Sequence, residues 1–188
     1  MSLSHDGGYR DDSGFAQQKF TFKHAYSKEA LTMTTSLSMT NLNQETAGYI
    51  VGKDTYKITH LRNDNPNPEA YRDTQSARFS SRIDYQLTDR ALITLTPYLR
   101  YIEMHFLQHF LPGTPLEENG QKSFGIQSAY HNRIRDSFNI IAGVDVEYTS
   151  AFLKQSQDAP TEGSAFLMAT IPEGKHYDYE VDAVVVAP

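Results

Sequence analysis

Two histidines, His105 and His109, stand four residues apart with Glu103 close by, a set of residue types that ligates metals when the side chains converge. Their spacing tells against a site on extended chain. At about 3.3 Å per residue, strand positions four apart are separated by roughly 13 Å, far beyond the ~2 Å reach of shared ligation. Only a helical turn would join them, so no metal site is expected. Nucleophilic chemistry has as little to work with: there is no cysteine, no Gly-x-Ser-x-Gly elbow, no phosphate-cradling glycine loop and no His-Glu-x-x-His motif. Neither an enzyme nor a bound cofactor is expected. What remains is charge. Arg82, Asp84 and Arg100 fall on neighbouring extended segments, on one side of each, where they would pair across a ladder.

The segments that carry these charges have a period of two. Leu31, Met33, Thr35, Leu37 and Met39 alternate without a break with Thr32, Thr34, Ser36, Ser38 and Thr40, which puts the apolar set on one face of a strand and would scatter it around a helix. The same alternation predicts strands near 19–26, 30–41, 77–87, 91–105, 122–132 and 138–150, grouped as three hairpins, with a further strand near 177–188. Pro97 interrupts the fourth of these, and since proline donates no ladder hydrogen bond, an edge or a local irregularity is expected there.

Composition agrees. The chain is polar on average, with mean hydropathy −0.54, yet it holds 12 Tyr and 10 Phe, a balance that suits β structure with one wet face. No run approaches the roughly 18 apolar residues of a membrane helix. Strands of a membrane barrel need only about 9–11 residues with alternate ones apolar, so low hydropathy says nothing against them. The formal charge of −6, without a basic stripe, speaks against a nucleic-acid partner.

Connection lengths separate a barrel from an ordinary domain. Short turns at 27–29, 88–90 and 133–137 alternate with long segments at 41–75, 106–121 and about 150–176, the asymmetry of bacterial outer-membrane barrels with short periplasmic turns and long outer loops. In that orientation Tyr26, Tyr85, Tyr130 and Phe138 fall at one membrane interface and Phe79, Tyr101, Phe124 and Tyr148 at the other, as aromatic girdles do. The opposite face sends Arg78, Arg82, Asp84, Arg100, Asp145 and Glu147 into a wet lumen. The long loops carry Tyr49, Tyr56, His60, Arg62, Tyr71 and Arg72 in one case and Phe106, His109, Phe110 and Glu117 in another, aromatic and charged residue types that form contacts at recognition surfaces. A soluble antiparallel β-sandwich binding module is the alternative that shares the alternation, although its strands usually run about 5–6 residues. A barrel-resident hydrolase, the third class, lacks a motif.

The stretch Arg82-Ile83-Asp84-Tyr85 through Leu95-Thr96-Pro97-Tyr98-Leu99-Arg100, then Met104 to Gly113, resembles the barrel of TonB-dependent receptors, as does Glu117-Glu118-Asn119-Gly120 followed by Ser123-Phe124-Gly125-Ile126-Gln127. The resemblance covers most of residues 15–188 and rests on strand rhythm and loop texture. It implies an all-β fold of antiparallel hairpins from an incomplete transmembrane barrel, on the order of 22 strands when whole, in the bacterial outer membrane. It also implies uptake of a bulky, scarce solute such as a ferric siderophore. The implied partners are outer-membrane lipid, the remaining barrel, a plug domain that this chain lacks, and TonB. The opening Met1-Ser2-Leu3-Ser4-His5 has neither a basic region nor an apolar core, so it is not expected to be a signal peptide, and the chain is expected to be a piece of a longer protein. An open sheet would leave edge N–H and C=O groups that lipid cannot satisfy, so the isolated piece is expected to aggregate or pair with itself.

Overall fold

Alternation of this kind builds strands, and the computed structural model, which describes residues 1–109 and 113–188, consists largely of them. They are β1 (Ser2–Asp6), β2 (Phe15–Lys28), β3 (Leu31–Glu45), β4 (Tyr71–Thr88), β5 (Ala91–Leu107), β6 (Leu116–Arg135), β7 (Phe138–Gln157) and β8 (Gly174–Ala187). Each pairs antiparallel with its neighbour in sequence, giving one eight-stranded sheet in the order of the chain. A 3-10 turn at Thr55–Lys57 and a short helix, α1 (Ala165–Thr170), complete the described secondary structure.

The sandwich alternative does not survive this topology. A sandwich needs a second sheet to cover the first, whereas all eight strands lie in one layer. Among the described residues, the buried apolar side chains are Ala70, Ala91 and Pro115. Large apolar groups stand open instead: Leu99 is 55%, Phe124 58% and Val184 69% exposed.

Register shows how the sequence pattern becomes two faces. At the level of Leu99 the paired residues are Phe22, Leu37, Phe79, Phe124, Tyr148 and Val184, apolar or aromatic on every strand from β2 to β8. One residue along, at Arg100, the partners are Thr21, Ser38, Arg78, Ser123, Thr149 and Ala183. Because successive side chains point to opposite sides of a sheet, an apolar Leu99 face and a polar Arg100 face run unbroken across the molecule.

Beyond Ile102 the pattern turns over. The Leu99 face now carries Asn41, Gln75, Glu103 and Glu180 on one level, with Phe152 as its aromatic exception, and Asn43, Asp73, His105, Glu118, Lys154 and Asp178 on the next but one. The Arg100 face gains Leu42, Met104, Leu153 and Tyr179. The strands therefore extend past the apolar band with their polarity reversed.

Two-residue turns at Glu29-Ala30, Asp89-Arg90 and Asp136-Ser137 close one end of the sheet. The connections 7–14, 46–70, 108–115 and 158–173 stand at the other. Glu29 takes a positive φ of 52°, a left-handed conformation that glycine and asparagine adopt more readily.

Pro97 sits within a central strand, paired with Ile126 of β6. On its other side the ladder passes from Ser80↔Tyr98 to Ile83↔Leu95, leaving Ser81, Arg82, Thr96 and Pro97 out of register pairing. The missing N–H accounts for that local gap.

Seven of the strands overlap the segments read from the sequence and reach beyond them, and β1 is additional. Four residues assigned to loops lie on strands instead: Tyr71 and Arg72 open β4, Phe106 is near the end of β5, and Glu117 is near the start of β6. Apolar and polar residues no longer alternate cleanly there, as in Met104-His105-Phe106-Leu107 and Glu117-Glu118-Asn119, although backbone pairing continues. Phe110 lies outside the described residues.

Candidate functional site

The Arg100 face gathers the charges. Arg78, Arg82, Asp84, Arg100, Asp145 and Glu147 all project from it, by the register of β4, β5 and β7. Their pairing differs from the cross-ladder expectation. Arg82 bonds Asp84 two residues along its own strand, with Nε to Oδ2 at 2.9 Å, and the Thr94 hydroxyl donates to Asp84 Oδ1 at 2.7 Å. Register explains this: Asp84 faces Thr94 across the ladder, whereas Arg100 faces Arg78. Arg100 turns to Glu147, two strands away.

Glu147 is the hub of the middle of this face. It accepts from the Tyr98 hydroxyl, from Arg100 Nη2 and, at 2.8 Å, from the Thr149 hydroxyl. Tyr98 reaches it across Gly125 of β6, since Tyr98, Gly125 and Glu147 share one level. The Arg100 guanidinium lies 5.4 Å from the centre of the Tyr98 ring, within cation–π range. Gln127 donates to Asp145 at 3.3 Å. Beside this network, over the small side chains of Ser36, Ser38 and Ser80, is an open depression of 590 Å³ that Lys23, Arg78 and Arg100 line.

Higher on the same face, Glu117 accepts from Gln108 Nε2 at 3.0 Å, Asn119 Nδ2 at 2.9 Å and the Tyr177 hydroxyl at 3.3 Å. Burial, reinforced by the Glu117 charge, pushes the Tyr177 phenol up. Arg72 donates to Gln44 at 2.7 Å. Met104, Leu153 and Tyr179 occupy the adjoining level, so this rim mixes apolar walls with a single hydrogen-bonded carboxylate.

On the reverse side, the histidine that opened the metal question is engaged by carboxylates. His105 Nε2 lies 3.2 Å from Glu103 and Nδ1 3.3 Å from Glu118. The Tyr101 hydroxyl, 2.6 Å away, and His105 hold the Glu103 carboxyl below the usual range. His109 follows the end of β5. Among the described residues, no three metal-ligating side chains are placed to hold one ion.

The outer connections are ordered by polar side chains. Asn65, 8% exposed, accepts from the backbone N–H of Gly48 and of Asn67 and donates to the Asp12 carbonyl at 2.9 Å. Arg10 donates to the carbonyls of Gly48 and Asp64. These bonds clamp connection 7–14 to 46–70. Gln157, 4% exposed, does the same between 108–115 and 158–173, accepting from Thr114 N–H at 2.9 Å and donating to Thr161 at 3.1 Å. Tyr49, His60 and Arg62 stay exposed on the outside of the clamped 46–70 connection. Lys23, Tyr98, Asn65 and Arg10 escaped notice as site residues. Tyr98 and Lys23 were visible as polar-face positions, but Asn65 and Arg10 act through chain segments more than fifty residues apart in sequence.

No family model and no curated protein matches the sequence. Among solved structures, the ferric citrate transporter FecA in its unliganded form is similar, with a TM-score of 0.59 at 11% identity over 94% of this chain. The match spans 26% of that transporter's length. At that identity the likeness is one of fold: an open, antiparallel sheet of the kind that walls a barrel.

Proposed function

We propose that this chain forms part of the wall of an outer-membrane β-barrel receptor that takes up a bulky, scarce solute, such as a ferric siderophore, with energy delivered through TonB. One observation carries the reading: the Leu99 face is apolar across seven successive strands, and among the described residues nothing covers it. Lipid is the partner such a face suits, and its height, about 9–11 residues, is what a bilayer requires. The Arg100 face then lines the lumen. The free edges of β8 and of β2 beyond β1 would pair with the remaining barrel, because unpaired backbone groups are costly in hydrocarbon. A plug domain would fill the lumen. Solute would meet the outer connections first, where Tyr49, His60, Arg62 and His109 stand beside the strand ends bearing Tyr71, Arg72 and Glu117. The FecA likeness supports a transport-type barrel.

These 188 residues hold no cysteine, so a thiol introduced among them can be followed by peptide mass spectrometry. In the full-length protein in native membranes, Leu99→Cys and Phe124→Cys should resist a charged thiol reagent until unfolding. Glu180→Cys, on the same face above the apolar band, should react at once. Equal reactivity at all three positions sinks the membrane reading. Deleting the gene and measuring iron-limited growth on a panel of ferric siderophores tests the transport half.

A further inference from the structure

Arg78 and Arg100 are directly opposed across β4 and β5. Like charges placed so are destabilising in a sheet, and a guanidinium cannot shed its proton to relieve the repulsion. Glu147 compensates Arg100. Among the described residues nothing compensates Arg78, nor does Lys23, two strands away on an adjoining level, have a carboxylate partner. All three cations border the 590 Å³ depression, whose other polar groups include three serine hydroxyls and the Tyr98 phenol. The nearby Arg82 is already taken by Asp84. The patch thus holds a net excess of positive charge over a floor of short side chains that lets a visiting group approach closely.

We propose that Lys23, Arg78 and Arg100 form an anion site on the lumen wall that accepts a carboxylate. The planar fork of Arg78 suits a carboxylate bidentately. Ser36 and Ser80 share a hydrogen bond at 2.9 Å, which leaves one of their two hydroxyl protons as a neutral donor beside it, and Lys23 adds a point charge from the far side. A carboxylate seated there would bridge the opposed arginines and turn their repulsion into a shared attraction. The inference rests on the barrel reading of the Arg100 face. The same chemistry could arrive by two routes, on an Asp or Glu of a protein segment occupying the lumen or on a small carboxylate solute.

The test uses the full-length protein, with tricarballylate as the probe because it carries three carboxylates and no iron-chelating hydroxyl. Calorimetry should show salt-sensitive binding that weakens at least about tenfold in Arg78→Gln and in Lys23→Gln while heat-modifiable gel mobility stays that of the wild type. In parallel, carbodiimide treatment joins amines to touching carboxylates. Mass spectrometry would then read whether Lys23, or the amine introduced by Arg78→Lys, is linked to a carboxylate outside residues 1–188. Binding without a cross-link assigns the site to a diffusible solute, and a cross-link lost in Lys23→Gln assigns it to a protein carboxylate. Neither binding nor cross-link, in a protein whose Leu99 face resists the charged thiol reagent, overturns the anion site and leaves the barrel reading standing. Loss of that resistance would remove the lumen itself.

Discussion

Tyr98 lies over Gly125 and hands its hydroxyl to Glu147, so one aromatic side chain bridges three strands on a single level. The arrangement requires glycine at the middle strand. A Cβ at position 125 would stand 2.5 Å from both Cζ and Oη of Tyr98, closer than packed atoms tolerate. A ring over glycine also shields backbone that would otherwise be bare, a device that pins register between strands. Gly120 is covered by Phe152 on the opposite face in the same manner, with a Cβ there 2.6 Å from the ring.

Gly125→Ala should therefore displace the Tyr98 ring and cost about 1–3 kcal/mol, the usual range for overpacking. Denaturant unfolding of the reconstituted full-length protein measures it. The same substitution combined with Tyr98→Ser should lose less than the sum of the two single changes, since the ring's share of the clash is then gone and only the crowding against the Val146 carbonyl oxygen, 2.8 Å from that Cβ, is left. Full additivity would show that the ring does not rest on the glycine.

The two faces should respond oppositely to a new charge. Val144, on the Leu99 face midway along the apolar band, should cost about 2–4 kcal/mol when replaced as Val144→Lys. Gln127→Lys, one level away on the polar face, should stay within roughly 0.5 kcal/mol of wild type. Urea titration in lipid vesicles separates them, and equal costs would contradict the assignment of faces.

Glu29 holds its positive φ of 52° in the first short turn. Glu29→Gly relieves that conformation and should leave stability unchanged or raise it by up to about 1 kcal/mol, the relief being partly offset by the greater freedom of glycine in the unfolded chain. Glu29→Val, a β-branched residue at the same φ, should lower it. Paired unfolding curves of the two variants give the sign directly.

Asn65 makes three bonds to backbone, two within connection 46–70 and one, to the Asp12 carbonyl, that ties it to connection 7–14. Asn65→Ala leaves buried backbone groups without partners, a local cost of about 1–3 kcal/mol. Because no strand depends on that clamp, the expected outcome is faster protease cleavage between residues 46 and 70 with the strands intact. Mass spectrometry of the fragments reports it.

Glu103 gives a pH signature. Its carboxyl is held below the ordinary range by the Tyr101 hydroxyl and by His105, so its contribution to stability is fully present above about pH 4.3, the unperturbed glutamate value. It is lost as the pH falls through the lowered folded-state value. Melting of the wild type should drop across that acid window more steeply than melting of Glu103→Gln. Identical acid profiles would remove Glu103 from the account.

Alternation made the lower halves of the strands legible, because Leu31–Thr40 or Phe138–Thr149 display one apolar and one polar face in sequence. The upper halves were not legible for a physical reason. Glu117-Glu118-Asn119-Gly120-Gln121 is polar on both sides, since that part of β6 lies beyond the apolar band, and backbone pairing alone leaves no trace in residue type. For the site, the face of each charge followed from the period of two. Which charges meet did not. The partnership of Arg100 with Glu147 needs two strand registers to be known, and the confrontation of Arg100 with Arg78 needs one.

The reversal of polarity beyond Ile102 gives the sheet a waterline. In a bilayer, sinking the sheet by two residues, about 6.6 Å along a strand, would drag the level of Glu103 and Glu180 toward hydrocarbon. A charged side chain at the bilayer midplane costs on the order of 2–4 kcal/mol, and less near the interface. Raising it by the same step would lift Tyr101, Phe20 and Met39 into water. Penalties of opposite origin would thus hold such a sheet at one draught, set by the residues at the strand levels on either side of Ile102 and independent of any anchoring helix. A single-residue insertion just below Ile102 in β5 would swap the faces above it, leaving that strand out of trim with its neighbours while its lower half stayed correctly immersed.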